Sequence, residues 1–186
     1  MEAILFLTEK RGGTMKGALV HNGKLSREWL REDTASPTAI LEGLLLTAVI
    51  DANEERDVMT SDIPNAFIQT EMPEVKDGEQ RVTMKITGVL VDMIVQLNPN
   101  TYGEFVVYEK GRKVLYVQVL RAIYDMLVSS LLWYKKFRKE LKEYGFEFNP
   151  YNPCVANRME DGKQHTIQFP THEGFDWIQA WTGNIP

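Results

Sequence analysis

With 186 residues, 44% of them apolar and 25% charged, the chain is long enough to bury a core as one domain or as a domain with a small lobe, which excludes a disordered protein. A single cysteine, Cys154, excludes an internal disulfide, and His21, His165 and His172 fall in unrelated segments without zinc spacing, so a reducing compartment, cytoplasm or nucleus, is expected. The net charge of −5 hides a split: Glu28–Glu79 carries thirteen acids against three bases, whereas Lys110–Gly145 carries nine bases against three acids. The second stretch can face phosphate or form a solvated helix face.

In chain order, Ala3–Thr8 and Thr14–His21 read as two strands joined across Arg11-Gly12-Gly13, a hairpin flap. Ser36-Pro37 supplies a cap and a first-turn proline, and Ile40, Leu41, Leu44, Leu45 and Ala48 then recur at helical spacing to Glu54. That helix is expected to pack beneath a sheet. Its longest apolar run, Leu44–Ile50, falls far short of the roughly 20 residues of a bilayer span, and Met1–Leu7 lacks the basic start of a signal peptide, so no membrane partner is expected.

Arg56–Asp62 reads as a strand that carries a carboxylate to its end, followed by the turn Ile63-Pro64-Asn65-Ala66 and the aromatic Phe67. Val82–Ile86 predicts a strand, and Val89–Leu97 a short helix stopped at Asn98-Pro99. Phe105–Tyr108 and Lys113–Val119 predict a second hairpin across Glu109-Lys110-Gly111-Arg112. Arg121–Tyr144 predicts one long helix with a Tyr124, Leu127, Leu131, Tyr134 and Leu141 stripe, stopped by Gly145. Phe146–Phe148, Cys154–Arg158 and His165–Phe169 read as strands, the last two joined by the tight turn Glu160-Asp161-Gly162-Lys163. Helices on a mostly antiparallel sheet make an α+β plan.

Several of these segments resemble a known family when read together. Phe6–Lys10 with Lys16–Val20, Ala35-Ser36-Pro37, Asp62–Ile68, Leu120–Tyr124, Trp133 and Asn152–Ala156 stand in the order and at the separations of the reverse transcriptase of copia-type retrotransposon polyproteins. The likeness covers Phe6 to Ile167. It implies an incomplete right-hand polymerase, with fingers and palm over residues 1–169, a divergent tail over 170–186 and no thumb.

The resemblance makes Asp62 the catalytic palm aspartate that binds both Mg²⁺ ions of a two-metal phosphoryl transfer, a task suited to hard carboxylate oxygens. It makes Phe67 the aromatic beneath the sugar of an incoming nucleotide. It sets backbone amides from Ile63 to Ala66 toward the triphosphate and gives Lys16 a reach to it from the flap. The local alternatives are a turn-initiating or capping acid at Asp62, a core ring at Phe67 and a solvated lysine at position 16. Asp51 and Asp57 read as helix-end and strand-start acids. The implied partners are an RNA or DNA primer-template and deoxynucleoside triphosphates.

Three departures bear on activity. The family's tyrosine- or histidine-valine-aspartate-aspartate turn is replaced after Thr166-Ile167-Gln168 by Phe169-Pro170-Thr171-His172-Glu173-Gly174. The arginine two residues past the flap lysine is Ala18, and the glycine after Tyr124 is Asp125. Without the paired acids, each metal loses anionic ligands, so the chain is expected to be an inactive polymerase fragment. The alternative reading is a non-catalytic module that binds nucleic acid or associates with an intact polymerase subunit.

Overall fold

The structure is a computed structural model that describes residues 2–22, 35–75, 81–169 and 177–182. Its elements are β1 (Ala3–Glu9), β2 (Met15–His21), α1 (Leu41–Asn53), β3 (Asp57–Asp62), β4 (Thr83–Thr87), α2 (Val89–Leu97) and α3 (Pro99–Tyr102). They continue with β5 (Val106–Glu109), β6 (Arg112–Gln118), α4 (Ser129–Glu143), β7 (Glu147–Phe148), β8 (Val155–Glu160), β9 (Lys163–Gln168) and β10 (Trp177–Thr182). This is the expected α+β class with antiparallel sheets. The chain divides into two compact units, Met1–Arg31 with Glu71–Leu127 and Glu32–Thr70 with Val128–Pro186. No described helix is long and apolar enough to cross a membrane.

In the first unit, β1 and β2 form the expected hairpin, in register from Ala3 opposite His21 to Glu9 opposite Met15. A separate sheet has the order β4-β6-β5. The β5–β6 loop is two residues long because Lys110 and Gly111 both take positive φ, 49° and 76°, the turn whose twist matches a hairpin. Alternation along β4 places Met84 and Ile86 on one buried face with Leu115, the register partner of Ile86, while Val114 is buried on the other face, and Val91 of α2 has no exposed surface. Gly88 and Asn98 bracket α2, and the Asn98 side chain accepts from the Thr101 amide to start α3.

In the second unit, a five-stranded sheet runs β3-β10-β9-β8-β7 with antiparallel neighbours throughout. The β8–β9 turn repeats the two-residue device, with Asp161 at φ 50° and Gly162 at φ 76°. Phe169 is fully buried and gathers the aromatic core: Phe137 meets it edge-on at 4.9 Å, Trp133 at 6.2 Å and Phe148 at 6.3 Å. Trp133 and Phe137 stack at 5.0 Å along α4. The helix ends at Gly145, φ 83°, and the Arg158 guanidinium donates to the Tyr144 carbonyl at 3.1 Å, satisfying one of the last helical acceptors.

Three expectations are corrected. The long helix does not begin at Arg121: α4 starts at Ser129 and spans about 22 Å at roughly 1.5 Å per residue. Asp125 sits at φ 64°, a left-handed conformation that interrupts a right-handed helix. Arg121 and Tyr124 instead make isolated strand bridges with Glu71 and Val20. Second, α1 starts at Leu41 with Ile40 extended at its N-cap, five residues after Ser36, and no side chain caps it. The β-branched Thr38 and Ile40 favour extended backbone there.

Third, the apolar stripe of α1, Leu44 apart, does not face inward. Gly43, Leu44, Thr47 and Asp51 do, whereas Ile40, Leu41, Leu45 and Ala48 are exposed. A Cβ at Gly43 would lie 2.6 Å from the side-chain Nδ2 of Asn152, and Thr47 donates to the Gln168 side-chain carbonyl at 3.1 Å. Small size and hydrogen bonding, rather than hydrophobicity, choose the contact face. Within residues 170–186, Trp177–Thr182 forms a strand between β3 and β9.

Candidate functional site

β3 joins the sheet through β10 and forms its edge among the described residues. All six of its residues are exposed, and Asp62 is the last of them. Trp177, the first residue of β10, is its register partner, while β9 ends at Gln168, which pairs with Gln179. The connection between β9 and β10 therefore opens at the end of the sheet where Asp62 stands.

Partners across a ladder share a face, and successive residues alternate. Thr60 pairs with Gln179 and Gln179 with Gln168, and Val58 reaches Thr166 in the same way through Trp181. Asp62 thus belongs to the face of Gln168 and Thr166. The opposite face carries Ile167 and Ala156 level with Phe148, and there the aromatic side chains of α4 pack. The carboxylate at the strand end is directed away from α4.

The turn after Asp62 is wound tightly. Asn65 takes φ 56°, a conformation asparagine tolerates better than most residues. The Gln69 amide donates to the Asn65 carbonyl at 3.2 Å, the Thr70 amide to the Phe67 carbonyl at 2.8 Å and the Gln69 side chain to the Pro64 carbonyl at 2.8 Å. Lys136 of α4 donates to the Gln69 carbonyl at 2.9 Å. Ala66 and Phe67 are each 3% exposed. Core packing occupies the Phe67 ring and anchors the turn. Ile63 is half-buried, and Asp62 has no ion pair or side-chain hydrogen bond among the described residues. Lys16 is exposed on β2, in the other unit.

Sequence reasoning passed over the group that secures the entry to β3. Asp51, at the end of α1, is 3% exposed, and Arg56 lies 3.6 Å from its Oδ1. The Arg56 amide donates to the Asp51 carbonyl at 2.9 Å, and its Nε donates to Glu54 at 2.7 Å. Burial pushes the Asp51 carboxyl above its ordinary range, the Arg56 charge opposes this and Glu54 adds to it. Asp51 Oδ2 is buried without a partner among the described residues, as is Nε2 of Gln168 on β9. A helix-end acid carries no sequence signal of such burial.

The donor set decides what a metal can do here. Two divalent ions need several converging oxygen ligands. Among the described residues no three histidine, cysteine, aspartate or glutamate side chains converge. Asp62 alone does not fit a two-metal centre, and Glu173 and Asp176 lie outside the described residues. No family model, curated protein or solved structure matches the chain.

Proposed function

We propose that the chain is a fingers-and-palm fragment of a copia-type retrotransposon reverse transcriptase that has lost nucleotidyl transfer. The observation that carries this reading is the strand pairing Asp62–Trp177. It sets the end of the acid-bearing strand beside the β9–β10 connection, the segment in which the resembled family carries its paired aspartates. Two further features support it. The ordered motifs run from Phe6 to Ile167 in one chain, and α4 packs on the sheet face opposite the one to which Asp62 belongs.

In this reading Asp62 is a surviving metal ligand without its companions, and the connecting segment Phe169–Asp176 has replaced them. The triphosphate charge then has too little cationic compensation for an in-line transfer. Primer-template, nucleotide and Mg²⁺ belong to the intact relatives that the reading implies.

The experiment reinstates the pair with Pro170→Val, Thr171→Asp and His172→Asp together, Phe169 keeping the aromatic position of the turn. Mn²⁺ binding, followed by electron paramagnetic resonance, is expected to tighten at least about tenfold over the parent chain. The gain should vanish when Asp62→Asn is added. An unchanged affinity, or a gain indifferent to Asp62→Asn, contradicts the reading.

A further inference from the structure

The outward face of α1 remains without a partner among the described residues, and it is unusually apolar for a solvated helix. Leu41 is 64% exposed, Leu45 58%, Leu46 63% and Val49 66%. Ala48 and Ala52 are exposed beside them. Only Glu42, in the first turn, brings a charge to this face, because Asp51 is buried on the other side.

The order of large and small side chains says what fits against it. Leu41, Leu45, Ala48 and Ala52 follow one another at spacings of four, three and four, the seam of a helix packed along a second helix. Within the seam the two leucines occupy the first half and the two alanines the second. When a copy of the same helix is laid antiparallel, Leu41 comes opposite the second copy's Ala52, and Leu45 opposite the second copy's Ala48. Each large side chain meets a small one, twice over, as a two-fold axis requires. A parallel copy would set leucine on leucine and alanine on alanine. The charges agree with the antiparallel choice, since Glu42 comes near the second copy's Asn53 and faces no like charge.

We propose that α1 is the contact between two copies of this chain, packed antiparallel through Leu41, Leu45, Ala48 and Ala52. A helix of thirteen residues extends about 20 Å. One such pair buries less than the roughly 1,200 Å² of a standard stable interface. The dimer is accordingly weak and reversible. The contact is independent of the polymerase reading and uses no residue of the Asp62 site.

Sedimentation velocity of the full chain from about 1 µM to about 1 mM tests it. A monomer–dimer equilibrium is expected. Leu45→Ala leaves a gap and Ala48→Leu an overlap, and each should raise the dissociation constant about tenfold. The double variant Leu45→Ala with Ala48→Leu exchanges the volumes and should recover the parent value. Both positions are exposed, so circular dichroism should be unchanged in all three. As an independent measurement, a mixture of Leu41→Cys chains with Ala52→Cys chains should crosslink under mild oxidation, and neither chain alone should do so. A chain that stays monomeric, a dimer indifferent to the single changes, a double variant as weak as the singles, or an absent mixed crosslink overturns the proposal.

Discussion

Asp62, the last residue of β3, pairs with Trp177, the first residue of β10. The consequence is that a strand absent from the motif pattern attaches the candidate site to its sheet. β3 has no other strand neighbour among the described residues. Truncation after Phe169, which keeps the aromatic core and removes β10, is therefore expected to release β3. Hydrogen exchange should detect fast exchange of the Asp57–Asp62 amides in the truncated chain and protection in the full one. Equal protection in both would mean that β3 is held by something else.

Asp62 is exposed and makes no ion pair with described residues. Asp62→Asn should leave the free energy of unfolding, from urea titration, within about 0.5 kcal/mol of the parent. A loss of several times that amount would assign the carboxylate a structural role.

Phe169 is fully buried among Trp133, Tyr134, Phe137 and Phe148. Replacing it with alanine should cost about 3–5 kcal/mol and abolish the near-ultraviolet dichroism of the aromatic cluster. A cost below about 1 kcal/mol would contradict the packing described.

Cys154 has no exposed surface, and burial pushes its thiol up to about 11. The thiolate is the reactive species, so the folded chain should resist a disulfide reagent near pH 8. Unfolding in urea should make the same thiol react at once. Rapid labelling of the folded chain would show that the β8 side of the core is open.

The Asp51 carboxyl titrates above its ordinary value because burial disfavours its charge. Its contribution to stability is fully present below the unfolded value of 3.8 and is lost as the pH rises through the higher folded value. Asp51→Asn, uncharged throughout, is expected to gain stability near pH 7 and to flatten the dependence between about pH 4 and about pH 7. Urea midpoints at the two ends measure it. A loss of stability near pH 7 would mean that the Arg56 pair outweighs burial.

Local punctuation was the part of the fold most legible in the sequence. Lys110-Gly111 and Asp161-Gly162 are turns that require positive φ, and both hairpins form there. Asn98-Pro99 likewise marks the end of α2. The break at Asp125 was hidden because the apolar stripe runs through it unbroken, while the bridges that compete for its neighbours come from distant residues. The stripe of α1 gave its helix but not its contact face, which depends on Asn152 and Gln168 elsewhere in the chain. Trp177–Thr182 had strand-forming composition, yet only its two pairings reveal it as an interior strand. At the site, the position of Asp62 was readable as a strand end. The burial of Phe67 was not, because an aromatic after a turn suits a ligand and a core equally.

The most direct test is extension of a labelled primer on an RNA template by the purified full chain with Mg²⁺ and all four deoxynucleoside triphosphates. A chain that carries Asp62 without paired companions should add no nucleotide. Mg²⁺-dependent incorporation that Asp62→Asn abolishes would contradict the account.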